Sequence, residues 1–187
     1  MDLLLSLCIG LGLSAACGFR IFVPLLITSI AAHAGHLSLA PSFDWIASTP
    51  AMAAFGIATA LEIGGYYIPW VDNFLDTVAT PAAIVAGSIV TASMVTDVSP
   101  FMQWSLGIIA GGGIAGAVQG MTVLVRGAST ATTAGLANPL FATAELGGAI
   151  GTAFLAIVAP IVALIAVAAV IGWVILKLVR RTTKVAL

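Results

Sequence analysis

Residues 60–87 read ALEIGGYYIPWVDNFLDTVATPAAIVAG. Three carboxylates, Glu62, Asp72 and Asp76, fall within fifteen residues here, although the whole chain holds only seven Asp and Glu. Apolar runs near 50–68 and 76–96 flank the cluster, each close to the roughly 20 residues that cross a bilayer core. The stretch therefore reads as two membrane helices meeting at an acidic, aromatic turn. An ionisable group in hydrocarbon costs roughly 2.5 to 3.5 kcal/mol, so it normally faces protein or water and has a partner.

Composition extends this reading to the whole chain. Of 187 residues, 61% are hydrophobic and 7% charged, and mean hydropathy is +1.19, whereas a soluble domain is about 25% charged. We read a single transmembrane domain over 1–187, an all-α polytopic membrane helical bundle with no soluble domain. The net charge of −1 and the six Lys and Arg argue against a nucleic-acid partner. The N-terminus lacks the basic flank of a secretory signal and its apolar run continues, so it reads as a retained first span. Cys8 and Cys17, nine residues apart, fall on opposite faces of a straight helix, which argues against a disulfide or a shared metal.

Hydropathy, with Pro, Gly and charge as punctuation, divides the chain into about six spans, near 3–32, 50–68, 76–96, 101–126, 129–155 and 158–179. The segment GASTATTAGLANPLF at 127–141 is so rich in small polar residues that it reads equally as span, loop or re-entrant segment. Arg126, Lys177, Arg180, Arg181 and Lys184 fall on one side if both termini are cytoplasmic, as the positive-inside rule requires. A repeat is also visible. TALEIGG at 59–65 is echoed by TAELGG at 143–148, and the Gly-rich GLGLSAACGFRIFVP at 10–24 by GGGIAGAVQGMTVLVRG at 111–127. Units 1–97 and 98–187 of three spans each would insert in opposite senses, the 3+3 inverted plan of many transporters, with broken or kinked helices at the site.

Glu62 and Glu145, one in each echoed motif, are the first candidates for an ion or substrate site. Tyr66, Tyr67 and Trp70 beside Glu62 also read as an interfacial aromatic belt. Arg20 is the cation well inside a span, and Pro24 four residues later predicts a kink and a freed carbonyl at Arg20; Pro81 predicts the same at Thr77. Asp72 and Asp76, four apart with Asn73 beside them, share a helix face and suit the mouth of a cation path. Gly112, Gly116 and Gly120 form a ridge for close helix packing, within a bundle or between copies. His33, His36 and Asp44 are a weak metal-ligand pattern. No HExxH, GxSxG, P-loop or dinucleotide fingerprint occurs, so no enzyme and no cofactor is expected.

LSAACGFRIFVPLL, ALEIGGYYIPWVDNFLDTVATPAAIVAG and TAELGG together resemble the bacterial membrane-protein family catalogued as domain of unknown function 4126, over nearly the whole chain. The resemblance implies a small multi-pass inner-membrane protein and supplies no activity or site residue. The residues themselves lead to an expected function: transport of a small solute or cation through a site lined by Glu62, Glu145, Arg20, Asp72, Asp76 and Asn73. The alternative is a non-transporting scaffold or assembly factor whose buried charges are structural.

Overall fold

Proline marks where most helices begin. Pro41, Pro50, Pro69, Pro100 and Pro139 occupy first or second helical positions, where the missing N–H costs nothing and the fixed φ suits the first turn. The computed structural model describes residues 2–185, except for the side chains of residues 69, 70, 72, 73, 175 and 178–185. Among the described residues eight α-helices follow one another: α1 Leu3–Cys17, α2 Phe22–His33, α3 Thr49–Gly65, α4 Pro69–Met94, α5 Pro100–Leu106, α6 Gly113–Thr133, α7 Asn138–Val158 and α8 Pro160–Val185. A 3-10 turn, Pro41–Ala47, precedes α3 at a bend of 61°. A π-helical stretch, Gly107–Gly112, joins α5 to α6. The architecture is an all-α bundle with no strand among the described residues.

Among the described residues three helical segments are long and apolar enough to cross a membrane: 74–94 in α4, the continuous 100–133 rod and α7; the bent pair preceding α4 makes a fourth if it is one span. Leu3–Cys17, Phe22–His33 and Pro160–Val174 are shorter apolar helices. The segment expected as one first span is thus two helices. Pro24 does not kink a continuing helix at Arg20. It sits in the first turn of α2, and the chain is fully broken across 18–21. The break sets free backbone N–H groups at the start of α2 rather than only a carbonyl.

α1 is the central element, packed on α4, α6, α7 and α8. A helix apolar all round belongs in an interior, and Leu13, Ala15, Ala16 and Cys17 are completely buried. Cys8 and Cys17 are free thiols. Hydroxyls knit this core. Ser14 donates to the Gly111 carbonyl at 2.5 Å and Thr91 to that of Gly10 at 3.1 Å. Glycine permits the approach: a Cβ at Gly111 would collide with Thr91 and lie 2.6 Å from the Gly87 carbonyl oxygen. Gly112 and Gly116 likewise face Ile84 of α4, whereas Gly120 has open space beside it.

Residues 127–141 are a helical hairpin. Residues 127–133 complete α6, and the chain reverses through Ala134 and Gly135 in the left-handed region, at φ 53° and 85°. The span expected at 129–155 therefore runs from Asn138 to Val158. Small polar residues stay helical here because Thr132 and Thr133 donate to the carbonyls of Ala128 and Ser129, each at 2.8 Å. Asn138 reaches back to Thr130 at 3.2 Å, tying the hairpin closed.

Candidate functional site

The broken helix, the end of α3, the start of α4 and the α6–α7 hairpin converge on one charged cluster. Arg126 comes seven residues before the end of α6 and Glu145 seven after the start of α7, which places the cluster about 10 Å inside the hairpin's end. Glu62 lies in the last turn of α3 and is buried. Its two carboxylate oxygens accept the backbone N–H groups of Ile21 at 2.7 Å and Phe22 at 3.0 Å. Those are the donors that the helix break releases, and a carboxylate at a helix N-terminus also meets the positive end of its dipole.

Glu145 is held by arginine. Arg126 Nε donates to both its oxygens at 2.9 and 3.0 Å and Nη2 to one at 2.5 Å. Arg20 Nη2 stands 3.5 Å from the same carboxylate and donates to the Ala142 carbonyl at 2.9 Å. Asp76 completes the cluster, 3.7 Å from Arg126 Nη1. Arg20 and Arg126 are each 2% exposed, so both guanidiniums are desolvated. Their charges also meet an aromatic face. The guanidinium carbons of Arg20 and Arg126 lie 3.6 and 4.4 Å from the centre of the Tyr66 ring, within the range of cation–π attraction. Arg20 Nε and Nη1 are buried without a hydrogen-bond acceptor among the described residues.

Of the residues singled out in the sequence, Glu62, Glu145, Arg20 and Asp76 come together here. The side chains of Asp72 and Asn73 lie outside the described residues. Arg126 and Tyr66 complete the cluster, and both correct the sequence reading. Arg126 is a buried partner of Glu145 rather than a basic flank, because α6 runs on to Thr133. Tyr66 is buried beneath guanidiniums, whereas Tyr67 is exposed and bonded to Thr143 at 2.8 Å. Trp70's side chain is outside the described residues. A signal for Arg126 existed, since the echo between 10–24 and 111–127 contains an arginine in each copy. His33 bonds the Ala47 carbonyl at 2.8 Å, and no group of three or more metal-ligating side chains occurs among the described residues.

A cavity of about 810 Å³ adjoins the cluster, lined by Glu62 and Tyr66 and by apolar residues of α3 and α4. The arrangement can therefore do three things: hold a carboxylate on backbone donors, lock two helices by a forked ion pair, and offer a charged wall to an apolar space.

No curated protein and no solved structure matches this chain. The family model described as "Domain of unknown function (DUF4126)" matches residues 7–181, and the chain belongs to that family.

Proposed function

We propose that this is a membrane transport protein and that the cluster of Arg20, Glu62, Asp76, Arg126 and Glu145 is its ion- or solute-coupling site. One observation carries the reading: five charged side chains from four helices and a helix break meet beside a cavity. Broken helices that aim backbone groups at charge are the usual construction of transporter sites, and intramembrane charge is retained chiefly where it works. The meeting of both echoed Glu motifs and both echoed Arg motifs in one cluster supports units 1–97 and 98–187 as halves of an inverted repeat. We place the protein in a bacterial cytoplasmic membrane with both termini inside. The orientation rests on Lys177, Arg180, Arg181 and Lys184 once Arg126 is taken up by the cluster.

Within the site the carboxylates have different duties. Glu145 is committed to Arg126, so this pair suits a gate that parts when the two halves move. Among the described residues Glu62 is held by N–H donors alone, and it keeps lone pairs for a cargo. The test is flux in proteoliposomes. Glu62→Gln is expected to abolish uptake while the protein stays folded and monodisperse; the amide keeps the size and one acceptor oxygen, and setting its NH2 against the second backbone N–H lowers stability by about 1 to 3 kcal/mol.

A scaffold reading has an observation of its own in the forked Arg126–Glu145 pair, because buried ion pairs also fix helix register. It predicts that the wild type itself carries no flux above that of protein-free liposomes.

A further inference from the structure

The cavity between α3 and α4 has a chemical character that narrows its occupant. Its volume of about 810 Å³ falls within the roughly 300 to 1,000 Å³ of small-molecule sites. Leu61 and Phe74 at its rim are 70% and 66% exposed, so the mouth opens on the outer face of the bundle, the side a bilayer would cover. The described wall is apolar apart from Glu62 and Tyr66.

Charge then decides the sign of the occupant. Asp76 and Glu145 pair with the guanidiniums of Arg20 and Arg126, and neither of them lines the cavity, whereas Glu62 does. Among the described residues Glu62 has no cation within ion-pair distance; its partners are the N–H groups of Ile21 and Phe22. Helix N–H donors steady a carboxylate with about half a charge and do not neutralise it. A small divalent cation would need about six oxygen ligands, and the described wall offers one carboxylate. A weakly hydrated organic cation needs less. Phe22 and Phe74 in the wall add aromatic faces of the kind that attract such cations.

We propose that this cavity binds an organic monocation, its charged nitrogen on Glu62 and its apolar body between α3 and α4. The proposal names the cargo class of the transport reading and rests on Glu62 being that site. An amine or a quaternary ammonium reaching the cavity from the lipid side satisfies both halves of the wall.

Equilibrium dialysis of labelled benzyltrimethylammonium against the purified full chain in nanodiscs tests this. Phenylacetate, phenethyl alcohol and Na⁺ serve as competitors. Saturable binding is expected, displaced by none of the three. Glu62→Gln should weaken it about tenfold or more, the loss of one charge-assisted contact. Ala58→Phe, which fills the cavity and leaves every charge in place, should weaken it similarly. Absence of binding to the wild type, equal displacement by phenethyl alcohol, or wild-type affinity in Ala58→Phe would overturn the proposal, even where Glu62→Gln fails to fold. Binding without uptake overturns the transport reading and leaves this one standing. Uptake of another solute without benzyltrimethylammonium binding does the reverse.

Discussion

Arg126 and Glu145 form the strongest single contact in the cluster, and its strength is measurable. Removing one member of a buried pair strands the other, at a cost of about 3 to 5 kcal/mol. Arg126→Gln should therefore destabilise the protein more than the double change with Glu145→Gln, as read from unfolding in detergent by a double-mutant cycle. Arg20, at 3.5 Å from Glu145, should couple to Glu145 more weakly than Arg126 does. It should couple least to Glu62, with which it makes no ion pair within 4.0 Å. Equal coupling of Arg20 to both glutamates would contradict the geometry. Tyr66→Phe keeps the ring beneath the two guanidiniums and should be tolerated, whereas Tyr66→Leu should cost about 1 to 2 kcal/mol. The glutamates and Arg20 were legible in the sequence because charge inside apolar runs stands out by composition. Tyr66 was not, because a tyrosine near a helix end reads the same whether it faces lipid headgroups or stacks under arginine.

At the scale of elements, glycine substitutions separate close approach from mere composition. A Cβ at Gly18 would lie 2.5 Å from Val118 Cβ and 2.7 Å from the Ala115 carbonyl oxygen, so Gly18→Ala pushes α6 away from the helix break. A loss of about 1 to 3 kcal/mol is expected, the range for overpacking. Gly113 and Gly147 meet nothing within 4 Å, and alanine there should be neutral or stabilise by up to about 1 kcal/mol through helix propensity. Thermal unfolding of the three variants checks the contrast, and a uniform response would refute the packing. Element boundaries were the least legible feature. Pro24 signalled an interruption near Arg20, yet a proline three residues into a new helix and one kinking an old helix look alike until the flanking Gly18 is seen to be pressed against α6. The hairpin at 134–137 was hidden for a related reason. Ser and Thr that bond back to their own helix carry the composition of a loop.

For the whole molecule, membrane character follows from composition alone, while the path of the chain does not. About six spans are expected, and among the described residues the apolar sequence is divided among long helices, a bent pair and short helices. Hydropathy counts apolar residues and is blind to whether they continue one axis. Orientation is testable separately. Reporter fusions after Leu187 should report cytoplasm and those near Ser42 the outer side, given the basic C-terminal segment; an external C-terminus would refute this arrangement.

The most direct test of the cluster as a working transport site is uptake of labelled benzyltrimethylammonium into proteoliposomes under an inside-negative potential. The wild type is expected to show saturable uptake, reduced at least tenfold by Glu62→Gln, with the variant still folded and its oligomeric state unchanged. Uptake no greater than in protein-free liposomes, or unaffected by Glu62→Gln, would contradict it.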